Sequence, residues 1–457
     1  MKRVIHFGIL VLLVSGCTTV GPNYKRPLVA TPDAFRNDSS SQAAPASTSL
    51  GDEKWSEVFQ DPELQKLIRT ALDQNYDVRI AANHILQTQQ QAAIIRSNAY
   101  PTLSAGPSYL TEKLPGFGFN QFQLQGFFTW DVDFWGKFRR ADEAVRASLI
   151  ASEWARREVV ATLVSNVATA YFQLRELDLE LDIAKKTLES RQESLQLTQT
   201  LANGGAAGLL DVRQAEQLVE TAAETIPDTE RRISQMEDQL SMLTGGNPHD
   251  IPRGLPLSEQ ALPVSVPAGI PSRLLERRPD IQELEQQMVS ANAQIGIARA
   301  QMFPDLPLTA SGGIASSALL KLFAGPAGIW NFAPTLTQPI FQGGKLRANL
   351  KLSEAQEQQA VLTYQQTIQQ AFRQVSDALI DYGKYRDFRE HQESLTTAAH
   401  ESADLSELRY KGGVASYLEV LTNETNYFTA QLNLSRAVLN ERVSVVELYN
   451  ALGGGWD

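Results

Sequence analysis

A chain of 457 residues that is 43% apolar, 20% charged and 8% aromatic can bury a sizeable core, which excludes a disordered or collagen-like protein. Acidic residues exceed basic ones 52 to 41, a net charge of −11, so bulk electrostatics do not draw it to nucleic acid. The single cysteine excludes an internal disulfide framework and a Cys-based zinc site.

The chain opens with Lys2 and Arg3, an apolar run from Val4 to Val14, and Val14-Ser15-Gly16-Cys17. The run is too short to span a bilayer and has the form of a secretory signal over residues 1–16. Small residues before a lone Cys resemble the bacterial lipoprotein cleavage box, which implies lipidation of Cys17; an ordinary signal with a chance Cys is the alternative. Thr18 stands where an Asp would imply inner-membrane retention, so the same resemblance implies sorting to the outer membrane. No later stretch holds about 18 consecutive apolar residues, so no transmembrane helix is expected. Residues 18–52, rich in Ser, Ala, Pro and Thr, read as a tether.

The rest of the chain is a duplication. Asn203-Gly204-Gly205-Ala206-Ala207-Gly208-Leu209-Leu210-Asp211-Val212 recurs 208 residues later as Lys411-Gly412-Gly413-Val414-Ala415-Ser416-Tyr417-Leu418-Glu419-Val420. Gly136-Lys137-Phe138-Arg139 recurs at the same offset as Gly344-Lys345-Leu346-Arg347. Between the copies, seven prolines from Pro248 to Pro279 deny a long helix. Each copy reads as a helix, two strands, a very long helix, a turn and a helix. Residues 137–202 contain neither Pro nor Gly, and Leu163, Val167, Ala170, Leu174, Leu177, Leu181, Ala184 and Leu188 form a coiled-coil seam. Val361, Tyr364, Ile368, Ala371, Val375, Ala378, Tyr382 and Tyr385 repeat it in phase. At 1.5 Å per residue such a helix is about 100 Å long, more than a globular domain contains. Single helices of about half that length are expected from Leu64 to Ala99 and from Leu209 to Leu243, the latter kinked at Pro227.

The segments between the helices alternate with period two. Phe122, Leu124, Phe128, Trp130 and Val132 oppose Gln121, Gln123, Gln125, Thr129 and Asp131, and weaker alternations follow Leu103, Leu306 and Trp330. Four strands of about ten residues or more, paired as hairpins with aromatics on the apolar face, fit transmembrane barrel strands better than a soluble sheet. Four cannot close a barrel, since about eight is the minimum, so the chain must oligomerise. With helices about 10 Å apart, a dimer gives a ring about 25 Å across and a trimer one about 38 Å across, and only the trimer leaves a wide bore.

Several motifs in one order then resemble the outer membrane factors, the TolC-like exit ducts of tripartite efflux systems, in their lipoprotein subgroup. They are Gly21-Pro22-Asn23-Tyr24-Lys25-Arg26-Pro27, Trp55 with Phe59-Gln60-Asp61-Pro62-Glu63-Leu64, Asp133-Phe134-Trp135-Gly136-Lys137, Leu274-Leu275-Glu276-Arg277-Arg278-Pro279-Asp280-Ile281, Ala291-Asn292-Ala293-Gln294-Ile295-Gly296, Phe303-Pro304 and Leu408-Arg409-Tyr410-Lys411-Gly412. The resemblance covers essentially the whole mature chain. It implies a mainly α fold with membrane β structure, in which a trimeric 12-stranded outer-membrane β-barrel continues into a 12-helix periplasmic α-barrel through a mixed equatorial region. The implied divisions are a signal at 1–16, a tether and equatorial segment at 17–60, a first repeat at 61–245, a linker at 246–279 and a second repeat at 280–457. Hairpins are expected at 101–134 and 304–341, and long helices at 137–202 and 345–411.

The same resemblance implies a homotrimer that engages a periplasmic adaptor and an inner-membrane pump of the resistance-nodulation-division type. Its docking tip would be Gly204, Gly205, Leu209, Gly412, Gly413 and Val414, with the four glycines letting the chain reverse. Its periplasmic gate candidates are Glu419, Asp211, Arg409 and Tyr410, the first two as an acidic ring and the last two as holders of the closed state through interprotomer hydrogen bonds. The plainer role for Asp211 and Glu419 is that of helix N-terminal carboxylates. The expected function is passive conduction of drugs or other small molecules, with metal-ion efflux or protein secretion as alternatives. A lipid-anchored periplasmic coiled-coil scaffold without a pore would leave the four amphipathic strands unexplained. The five histidines show no i, i+4 pair, and no catalytic Ser or Walker motif occurs, so neither an enzyme nor a cofactor is expected.

Overall fold

The computed structural model describes residues 19–36, 49–260, 266–324 and 327–456, so the signal segment and Cys17 lie outside the described residues. Its main elements are α1 (Trp55–Val58), α2 (Pro62–Gln74), α3 (Tyr76–Ser97), β1 (Thr102–Leu114), β2 (Phe117–Asp131), α4 (Lys137–Asn203), α5 (Leu209–Leu243), α6 (Pro271–Arg277), α7 (Pro279–Ala300), β3 (Pro307–Ser316), β4 (Gly328–Pro334), α8 (Lys345–Lys411) and α9 (Tyr417–Ala451). The helices α4 and α8 each have 67 residues, about 100 Å at the α-helical rise. Among the described residues no helix is long and apolar enough to cross a membrane.

Two sequence expectations need correction. The helix from Leu64 to Ala99 is two helices, because Asn75 takes extended backbone (φ −59°, ψ 134°). Its Oδ1 accepts the Asp77 N–H at 2.8 Å, capping α3, while its Nδ2 donates to Leu243 O at 2.9 Å. The second repeat breaks at Arg278, which the following Pro279 holds extended. Second, β4 has only seven residues and stops at Pro334, where the ladder loses its N–H. Helix α5 continues through Pro227, which removes a ladder donor without ending it.

The chain divides into two units. One holds residues 19–29, Asn83–Trp154 and Ile281–Gln366. Its sheet has strand order β1-β2-β3-β4, all neighbours antiparallel. The register aligns one apolar face across all four strands: Tyr109 opposite Phe122, Leu103 opposite Phe128, Phe128 opposite Ala310, and Ala310 opposite Phe332. The other face aligns Thr102, Thr129 and Thr309, then Ser108 with Gln123. Where strands meet helices, Trp135 stacks on Phe303 at 4.6 Å and donates from Nε1 to Pro304 O at 2.9 Å. The N-terminal strap lies on this unit. Val20 N–H donates to Trp135 O at 3.0 Å, the buried Arg140 donates to Asn23 Oδ1 at 2.8 Å, and Arg26 pairs with Glu285 at 2.9 Å. Gly21 has φ +100°, and a Cβ there would lie 2.5 Å from Gly296 Cα, so the two glycine-containing motifs are complementary halves of one contact.

The other unit holds Ala30–Ala82, Ala155–Asp280 and Thr367–Asp457. Here α4 buries far more than a two-position seam, since Val164, Ala168 and Tyr171 are as enclosed as Val167 and Leu174. In α8, Ile368, Ala371, Val375 and Ala378 are buried, while Ile380, Phe388, Leu395 and Leu405 stay exposed. Asp61 is a buried node. It caps α2 by accepting the Glu63 N–H at 2.9 Å, and it also accepts from Tyr171 Oη at 3.0 Å, Leu255 N at 2.9 Å and Gln260 Nε2 at 2.6 Å. Burial works to raise its pKa, but these hydrogen bonds outweigh it and hold the carboxyl below its usual range.

Candidate functional site

The two repeat turns form the tip. In each, only the second glycine takes left-handed backbone, Gly205 at φ +77° and Gly413 at φ +71°; Gly204 and Gly412 do not. The reversal therefore requires one glycine per turn rather than two. Ala206 N donates to Leu201 O at 2.8 Å and Val414 N to Arg409 O at 3.0 Å, satisfying the last helical carbonyls. Leu209 and Val414 are about 70% exposed.

The gate candidates share this tip but differ in role. Asp211 Oδ2 accepts the Gly208 N–H at 3.1 Å, so it caps α5. Glu419, its repeat counterpart at the third position of α9, pairs with Arg409 instead, Nε to Oε1 at 2.9 Å. The difference is encoded, because the residue 208 before Arg409 is Leu201. Tyr410 packs edge-on against Tyr417, with ring centroids 5.1 Å apart. Burial raises its pKa, and the Asp211 carboxylate raises it further. Tyr417 is buried although its counterpart Leu209 is exposed, because it joins Ala215, Leu218 and Val420 in the core between α5 and α9.

Sequence reasoning missed the charged residues inside the long seam. Glu180, 2% exposed, takes Arg232 of α5 on one oxygen at 2.7 Å and Arg436 of α9 on the other at 3.0 Å. Glu176, one turn earlier, accepts from Ser435 Oγ at 2.9 Å. Burial, then the Glu180 charge, pushes the Glu176 pKa up to about 7, against donation from Ser435 and the field of Arg232. A carboxyl with a raised folded pKa contributes stability that is full below its unfolded pKa and lost as pH rises through about 7. The melting temperature should therefore fall between pH 5.5 and 8.5 more in wild type than in Glu176→Gln. Equal slopes in the two proteins would remove Glu176 from the account. Arg191 is likewise buried, at the next seam position after Leu188. Among the described residues no group of His, Cys, Asp and Glu could hold a metal ion.

With this geometry in hand, comparison with known proteins decides the family. The profile of the outer membrane efflux protein family matches residues 67–246 and 270–454, once per repeat. The chain belongs to this family. It is 37% identical over 456 residues to the solvent efflux pump outer membrane protein SrpC of Pseudomonas putida, covering 97% of each chain. It is 34% identical over 453 residues to the probable outer membrane lipoprotein SilC of Salmonella typhimurium, covering 98% of this chain and 97% of that one. The open-state MtrE outer membrane channel of Neisseria gonorrhoeae superposes with a TM-score of 0.88 at 32% identity, over 96% of this chain and 99% of that one. This outer membrane efflux protein therefore has the TolC-like channel fold and is the outer-membrane duct of an efflux pump, reaching into the periplasm. These relatives are named as efflux channel proteins, not as enzymes.

Proposed function

We propose that three copies close their four-stranded sheets into one 12-stranded barrel, and that the resulting duct takes small apolar organic molecules from an inner-membrane pump through a periplasmic adaptor docked on the Leu209 and Val414 tip. The observation that carries this reading is the amphipathic sheet with two unpaired edges. Among the described residues β1 and β4 each have one neighbour, and an open edge cannot stand in hydrocarbon. The exposed Leu352, Leu362, Phe388 and Leu395 of α8 supply further apolar surface for a second copy to cover. The strap supports a lipid anchor at Cys17, because residue 19 packs against Gly136 beside the Trp135–Phe303 stack. The substrate class follows the solvent efflux named for SrpC, and the adaptor and pump follow from the family.

Deleting the gene should raise cellular accumulation of N-phenylnaphthylamine, an apolar efflux probe, and the wild-type chain labelled with radioactive palmitate should restore export. Cys17→Ser should take up no label. Unchanged probe accumulation together with lost tolerance to copper or silver would shift the substrate to metal ions.

A further inference from the structure

Polar links tie α4 to α9 at four levels. Glu176 meets Ser435, Glu180 meets Arg436 at 3.0 Å, Arg191 meets the Glu424 carbonyl at 3.4 Å, and the Ser194 and Tyr417 hydroxyls lie 3.4 Å apart. Arg191 differs in kind from the others. It is 2% exposed, yet among the described residues no carboxylate is within ion-pair distance and its Nε has no partner. Its charge is met by the field of the Glu424 carboxylate, beyond ion-pair distance, and by shared contacts. Nη1 donates to Leu218 O of α5 at 2.8 Å, Nη2 to Glu424 O of α9, and Cζ lies 4.9 Å from the Phe428 ring centroid.

A buried cation held this way resists any motion that strips its partners. If α9 moved away from the α4–α5 pair, Arg191 would keep the Leu218 carbonyl and lose both the Glu424 carbonyl and the Phe428 face. Glu424 is five residues from Glu419, about 8 Å along α9, so such a motion also displaces the Arg409–Glu419 rim. The second repeat has Ala399 at the matching position, so this restraint has no repeat copy on α8.

We propose that Arg191 is a positioning residue for the tip gate, a latch that seats α9 against α4 and α5 and so sets how far the mouth opens. This rests on the reading of the chain as a conducting duct. Arg191→Met keeps the length and the apolar contact with Phe428 but removes the charge. In planar bilayers it should raise mean single-channel conductance at least threefold, with the melting temperature of the assembled protein nearly unchanged. Arg191→Lys should fall between the two. If Arg191→Met does not assemble, Phe428→Leu, which removes only the ring seat, should raise conductance about twofold. Wild-type conductance steps that neither Arg191→Met nor Phe428→Leu alters would overturn the latch while leaving the duct intact. No wild-type steps at all would overturn the duct reading itself.

Discussion

Arg409→Ala should raise the cation-to-anion permeability ratio of the reconstituted channel about three- to tenfold, and Glu419→Gln should lower it by a similar factor. The two residues form a half-exposed ion pair at 2.9 Å, which contributes little to stability. In the proposed trimer the pair would cancel charge at the mouth, so removing Arg409 would leave three uncompensated carboxylates, and removing Glu419 three guanidinium groups. At about 8 Å in water each charge acts on a passing ion with about 0.5 kcal/mol before screening, which sets the expected range. The double variant should return close to wild type. Asp211→Asn should change selectivity less, because Asp211 already accepts the Gly208 N–H. Reversal potentials in a salt gradient report all four proteins, and identical values would place the selectivity of the mouth elsewhere.

Asp61→Ala should cost the fold about 3–9 kcal/mol, because Gln260, Tyr171 and the Leu255 N–H lose a buried acceptor at about 1–3 kcal/mol for each group left unpaired. The carboxylate also presses against the backbone of Gly254, where a Cβ would fall 2.2 Å from Asp61 Oδ1. Circular-dichroism melting should shift down by about 1 °C for each kcal/mol lost, while the exposed control Asp228→Ala should melt with wild type. Coincident curves for Asp61→Ala and wild type would mean that water substitutes for the carboxylate.

Much of this is legible in sequence because it is periodic. The Gly-Gly turns, the long Pro-free and Gly-free stretch and the alternating strands each carry a repeating signal, and together they give the order of elements and the face of each strand. What escapes is local exception. Asn75 breaks a helix through one capping side chain, and nothing in helix periodicity marks that residue as extended. The Arg409–Glu419 pair joins residues across a turn, and only the geometry shows that Asp211 and Glu419, identical in repeat position, have different partners. Arg191 was open to detection. It continues the seam spacing of Ala184 and Leu188, and an arginine in a coiled-coil core position marks a specific polar contact. The motifs around Gly21 and Gly296 are visible as strings, but that they touch each other is a tertiary fact.

One chain supplies a third of the proposed barrel. Native mass spectrometry of the protein extracted from outer membranes in mild detergent tests it most directly. A complex of three chains that falls to single chains on heating is expected, and a monomer or dimer that retains pore activity would overturn the trimer.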